Sequence, residues 1–247
     1  MPLGVKGKGE MLVESIAAPF YATNCWILST GKNEECVIVD PGIAIPDLTN
    51  EIYEIIDKYK LKPVAALLTH GHLDHTFSVV PLAESVAGGE SANKFITYIH
   101  SGDRELLTYP ERALSSESAQ LISMLASETG RNSYHEPKEV KEVKSNEILN
   151  IAGMSIKILH APGHTRGSVI FIVDENIALT GDVLFAGSIG RTDLPTGSMV
   201  DMTRTLQEKV LTLSDGVRVL PGHGPETTIA QERKSNPYLK NLTVGAR

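Results

Sequence analysis

The sequence predicts an α/β protein in which two similar halves pack sheet against sheet, with helices on the outside. Strand-like runs come first and lead into an amphipathic helix, and the same order recurs in the second half of the 247 residues. No internal repeat, low-complexity tract or Pro/Gly linker interrupts the chain, so residues 1–247 are expected to form a single domain. With 41% hydrophobic and 21% charged residues the apolar mass suffices for a sizeable core, which excludes disordered, collagenous and disulfide-scaffold classes.

Residues 11–18, 24–29 and 36–40 read as strands, with a Ser-Thr-Gly-Lys-Asn turn between the last two. Leu48, Ile52, Ile55, Ile56 and Tyr59 then recur at helical spacing behind Pro46 and Asp47. Residues 64–69 form a buried strand, a His/Asp-rich turn follows, and a second helix starts at about Thr76. Residues 95–100 are strand-like. Residues 101–146 are polar, helix-prone between Ser115 and Thr129, without a chemical motif, and read as a helical excursion from the sheet. Strands return at 154–160, 168–173 and 177–179, the last two joined by an Asp-Glu-Asn turn. A helix over 200–213, a short strand at 217–220 and a helical tail complete the chain.

Lys and Arg number 23 against 30 Asp and Glu, a net charge of −7, and no basic run could track a phosphate backbone. This argues against a nucleic-acid partner. Cys25 and Cys36 lie in one hairpin whose register puts Cys25 opposite Val39 and Cys36 opposite Leu28. The two thiols therefore do not meet, and reduced cysteines suit a cytoplasmic protein. Neither a signal peptide nor a membrane-length apolar stretch is visible, so no membrane partner is expected.

Three of the eight histidines fall with an aspartate inside T-H-G-H-L-D-H: His70, His72, Asp74 and His75. On a helix, residues two apart point to nearly opposite sides, whereas on an extended segment they share a face, so the motif is read as a strand end and turn. Imidazoles with a carboxylate suit zinc, iron or manganese. A merely His-rich polar turn is the alternative. Further candidate ligands follow strands: His164 in A-P-G-H-T, Asp182 in L-T-G-D and His223 in L-P-G-H-G. Each follows a glycine, which is read as allowing close approach of backbone to metal. Singly each would be an ordinary loop residue, and it is their recurrence that argues for a site. His100 and His135 read as exposed loop residues and His160 as a structural strand end.

These motifs, in this order from Asp40 to His223, resemble those of the metallo-β-lactamase superfamily, which implies a four-layer αββα sandwich of two mixed sheets. The resemblance implies two divalent metal ions, zinc foremost with iron or manganese as alternatives. His70, His72 and His164 correspond to ligands of the first ion, Asp74, His75 and His223 to ligands of the second, and Asp182 bridges them. Asp40, in V-D-P-G, corresponds to an outer partner orienting a ligand, with a plain turn aspartate as the alternative. The implied reaction is hydrolysis of an activated acyl bond by a metal-bridging hydroxide, with Asp74 as the catalytic proton handler.

True β-lactamases usually carry Arg at the place of His75 and Cys at that of Asp182, which argues against antibiotic hydrolysis. The stretch G-D-V-L-F-A-G-S-I-G-R-T-D-L-P and the ending P-G-H-G-P-E-T-T are similar to short glyoxalase II-like (hydroxyacylglutathione hydrolase-like) enzymes. This implies a small acyl-thiol conjugate, such as an S-acylglutathione, as substrate. Arg191 stands where longer relatives hold the thiol carrier and is expected either to bind a substrate carboxylate or to pair with Asp193. Only 24 residues follow His223, too few for the C-terminal helical domain of those relatives. Residues 101–146 are then expected to supply the missing pocket wall or a surface for a homo-oligomer. The alternatives are a single-iron persulfide dioxygenase, disfavoured because that branch reads P-A-H-D-Y where this chain has P-G-H-G-P, a lactonase, and a non-catalytic metal sensor.

Overall fold

Successive residues along the strands point to opposite faces, and this alternation decides which side chains meet in which layer. The computed structural model describes residues 11–88, 94–115, 119–130 and 133–242. In the first sheet β1 (Leu12–Ala17), β2 (Asn24–Ser29) and β3 (Glu35–Val39) run antiparallel. The sheet continues in parallel through β4 (Lys62–Leu67), β5 (Ile96–His100) and β6 (Val140–Val143). The connections carry α1 (Thr49–Tyr59), α2 (Leu73–Thr76), α3 (Val79–Ala87) and α4 (Ala119–Thr129). In the second sheet β7 (Ile148–Ile151), β8 (Met154–His160), β9 (Val169–Val173) and β10 (Ile177–Gly181) form an antiparallel meander. After α5 (Met199–Glu208), β11 (Arg218–Pro221) joins β10 in parallel, and β12 (Thr227–Thr228) forms the edge before α6 (Ile229–Ser235).

Between the sheets, Trp26, Leu28, Val37, Val39 and Leu67 meet Ile156, Ile158, Phe171, Val173 and Leu179. The alternate residues Cys25, Ile27, Cys36 and Ile38 pack outward against Leu48, Ile52, Ile56, Val79 and Leu82. On the far side Ile170, Ile172, Ala178 and Val219 lie under Met202, Leu206 and Ile229. The layers are therefore helix, sheet, sheet, helix, with two mixed sheets, as the resemblance implies. Phe171 is fully buried in the inner layer, where truncation to alanine costs about 3–5 kcal/mol.

Several expectations need correction. Residues 101–146 are not wholly an excursion, because β6 lies within them and pairs with β5 as the sheet edge. Of Val140, Lys141, Glu142 and Val143 only Val143 is buried, so this edge strand carries charges and no apolar alternation. The hairpin partner of β8, β7, also escaped notice; its turn uses Ala152 and Gly153, both at positive φ. Thr76 ends α2 rather than starting a helix. The Cys hairpin is shifted by one residue, with Cys36 opposite Ser29 and Trp26 opposite Val39. Both cysteines are nevertheless free and buried, at opposite ends of the pairing. His100 is half-buried at the end of β5 and stacks on His160 with ring centroids 4.1 Å apart. His135 is an exposed loop residue.

Candidate metal centre

Beyond β4 the chain bends at Thr69 and His70, is extended at His72 and then turns into α2, so His70 and His72 lie on the turn after the strand while Asp74 and His75 lie on the short helix. His164 lies in the loop between β8 and β9, Asp182 follows β10, and His223 follows β11. Asn24 and Trp26, from the opposite sheet, donate to the Pro221 carbonyl, and Asn24 also donates to the Gly224 carbonyl, which pins the loop carrying His223. The glycines before the ligands serve packing as much as approach to an ion. A Cβ at Gly163 would strike Met202 and one at Gly181 would strike Thr69, whereas only one at Gly222 would enter the ligand set, against Asp182 and His75.

Two groups of ligand atoms result. His70, His72 and His164 converge, with His72 Nδ1 and His164 Nε2 2.8 Å apart. Asp74, His75 and His223 converge as well, with His75 Nε2 and His223 Nε2 at 3.3 Å and Asp74 Oδ2 at 3.4 Å from His223 Nε2. Asp182 lies between them. Its Oδ1 is 3.3 Å from His75 Nε2, and its Oδ2 is 3.5 Å from both His164 Nε2 and His223 Nε2.

The outer nitrogens are committed, which determines where the lone pairs face. His75 donates from Nδ1 to Asp40 Oδ2 at 3.0 Å, His164 from Nδ1 to the Arg191 carbonyl at 2.7 Å, and His223 from Nδ1 to the Tyr21 carbonyl at 3.0 Å. Asp40 also accepts the Thr69 hydroxyl and amide, and the Thr69 oxygen lies 3.1 Å from His70 Nδ1. Asp40 forms a third close group with His70 and His75. Its oxygens already take three donors, so its geometry suits orienting ligands rather than binding an ion.

His70 Nε2 and His72 Nε2 are buried without a hydrogen-bond partner. Burial, reinforced by neighbouring imidazoles, pushes His70 well below the ordinary histidine range and His72 down to about 3. Both are therefore neutral, and the nitrogens that face the group, His70 Nε2 and His72 Nδ1, can each offer a lone pair to a cation. Burial pushes Asp74 and Asp182 up, but His75 and the other imidazoles outweigh it and hold both carboxyls down. Burial likewise pushes His75 and His223 down, and the facing carboxylates outweigh it and raise both. Five imidazoles and two carboxylates crowded in this way are costly without an ion, and nitrogen and oxygen donors of this kind suit zinc, iron or manganese.

A cavity of about 290 Å³ opens on His72, Asp74, His164, Asp182 and His223. Its other walls are largely apolar: Tyr21, Leu73, Phe185, Leu194, and Ala113, Leu114 and Leu121 from the segment 101–146. That segment thus supplies pocket wall. Arg191 also lines the cavity, with its guanidinium forked onto Asp193 at 2.8 and 2.7 Å. The sequence reading missed Asp103, a buried carboxylate that accepts from Gly71, Thr165 and Gly167. A lone aspartate in a polar segment carries no local signal of such a role.

The family model described as the metallo-beta-lactamase superfamily matches residues 18–223. An uncharacterized protein of Mycobacterium tuberculosis is 40% identical over 240 residues, covering 94% of this chain and 100% of its own length. The hydroxyacylglutathione hydrolase GloC of Haemophilus influenzae is 32% identical over 236 residues, covering 94% and 99%. Among solved structures, the BLEG-1 B3 metallo-beta-lactamase has a TM-score of 0.76 at 31% identity, covering 93% of this chain and 100% of that one. TTHA1623 in a di-iron-bound form has a TM-score of 0.70 at 28% identity, covering 92% and 100%.

Proposed function

Because the chain belongs to the metallo-beta-lactamase superfamily, we propose that it is a metal-dependent hydrolase of small acyl-thiol conjugates such as S-acylglutathiones. The observation that carries this reading is Asp182, whose carboxylate reaches His164 on one side and His75 and His223 on the other. His70, His72 and His164 would hold one divalent ion, Asp74, His75 and His223 a second, and Asp182 would bridge them, with zinc as the expected metal. Ions bound there supply Lewis acidity and lower the pKa of water. The kinship with GloC supports the thioester as the scissile bond.

The remaining chemistry belongs to the chain's own residues. Asp74 lines the cavity, and with its Oδ2 turned toward His75 and His223 its other carboxylate oxygen can accept a hydrogen bond from the attacking water and then handle its proton. Leu73, Phe185, Leu121 and Leu194 give the acyl group an apolar wall and exclude bulk water. Arg191, at the mouth, would bind a carboxylate of the thiol carrier in exchange for Asp193. Asp40 would hold His75 in the tautomer that leaves Nε2 facing inward. Water then replaces the thiol on the acyl carbon, releasing a carboxylic acid and a free thiol. Two free, buried cysteines suit the reducing cytoplasm as the place of action. No helix among the described residues is long and apolar enough to cross a membrane.

The test is a substrate panel assayed after reconstitution with zinc, manganese and iron in turn. Thiol release from S-acylglutathiones is expected. One similar structure is a B3 metallo-beta-lactamase, so a β-lactam belongs in the panel beside acyl-homoserine lactones. Oxygen consumption with glutathione persulfide on a single iron would overturn the hydrolase reading. Full metal occupancy with no turnover of any substrate would support a sensor instead.

A further inference from the structure

We propose that Asp103 is a positioning residue for the metal centre, its one carboxylate holding the loop of His70 and His72 in register with the loop of His164. The inference rests on the two-ion reading above. Asp103 is fully buried. Its Oδ2 accepts the Gly71 amide at 2.9 Å and the Thr165 hydroxyl at 2.6 Å, and its Oδ1 accepts the Gly167 amide at 2.9 Å. Gly71 lies between the two histidines of the first loop, and Thr165 directly follows His164.

The two loops leave different sheets, the first after β4 and the second after β8, so neither ladder sets their spacing. One main-chain bond, from the Val169 amide to the Thr69 carbonyl at 2.8 Å, ties the strand ends together. Asp103 ties the loops themselves, beside the 2.8 Å approach of His72 Nδ1 to His164 Nε2. The contact has no slack. A Cβ on Gly167 would overlap the Asp103 carboxylate, and one on Gly71 would come within 2.8 Å of the Asp103 carbonyl oxygen and 2.9 Å of Leu106 Cβ. Asp103 is itself anchored, as the N-cap of the 3-10 turn Arg104–Leu107 and beside Gly102, whose carbonyl accepts Arg166 Nε at 2.9 Å. An ionised carboxylate only accepts, which matches three donors; an amide of the same shape would turn its NH₂ toward one of them.

The experiment measures zinc affinity of the full chain by competition with a chromophoric chelator, in the wild type, Asp103→Asn and Thr165→Val. Asp103→Asn is expected to weaken zinc binding by roughly 10- to 100-fold, the usual range for partners that orient ligands. Its stoichiometry at saturating zinc and its KM should remain those of the wild type. Thr165→Val, which removes one of the three donors, should lose several-fold. A folded Asp103→Asn protein with wild-type zinc affinity would overturn the proposal. If Asp103→Asn does not fold, unchanged affinity in Thr165→Val overturns it equally. A wild type that takes up no zinc, manganese or iron sinks the two-ion reading and this inference together, whereas normal uptake with equal affinities in all three proteins sinks this inference alone.

Discussion

His164 donates its Nδ1 proton to the main-chain carbonyl of Arg191 at 2.7 Å. The Arg191 side chain meanwhile forks onto Asp193 and holds that carboxyl down to about 2. One residue thus orients a site imidazole through its backbone and presents its cation at the cavity mouth. Arg191→Ala keeps the carbonyl, so metal content is expected to stay at the wild-type level. KM for a carboxylate-bearing thioester should rise by up to about tenfold with kcat unchanged. Steady-state kinetics and metal analysis on one preparation check this, and an unchanged KM would mean that the guanidinium serves Asp193 alone.

His70→Ala and Asp182→Ala each remove a donor that no neighbour replaces. Each is expected to lose metal by more than the roughly 100-fold typical of outer partners, together with activity. The apolar clusters on both faces of both sheets are untouched, so the far-UV circular dichroism spectrum should be retained. Chelation of the wild type should likewise abolish turnover, and added zinc should restore it. Activity in the exhaustively chelated protein would contradict the metal assignment.

Burial pushes the Cys36 thiol up to about 12, with Glu35 adding to the effect, and burial together with Asp40 raises Cys25 as well. Neither thiol ionises near neutrality, and the thiolate is the reactive form. At pH 8 the native protein is expected to leave both unmodified by a disulfide reagent, whereas denaturant should release two thiols per chain. Rapid native modification would show that the β2–β3 face opens to solvent.

Leu121 reaches the cavity from α4. Leu121→Ala should raise KM for short acyl thioesters by about tenfold and shift preference toward bulkier acyl groups, without altering metal content. A chain-length series of S-acylglutathiones measures it. An unchanged profile would place the acyl group elsewhere.

Much of the site was legible because ligand chemistry is local. H-x-H cannot share an ion from within one helix, and His70 and His72 do lie ahead of α2, on the bend that follows β4, with His72 extended. The post-strand positions of His164, Asp182 and His223 were readable for the same reason. β6 was not, since as a charged edge strand its residues resemble those of a surface loop. The cysteine register slipped by one because hairpin pairing depends on turn geometry that composition does not specify.

By itself the sequence determined which side chains bear metal-binding chemistry, that they follow strands, and that two sheet-and-helix halves enclose the core. Only the tertiary structure decided that Asp182 lies between two imidazole groups, that Ala113, Leu114 and Leu121 wall the cavity, and that Asp103 joins loops 32 and 62 positions away from it in the chain. The reason is physical: a donor's identity is written in one residue, whereas its distance to another depends on how two sheets pack, and that packing is the sum of many contacts distant in sequence.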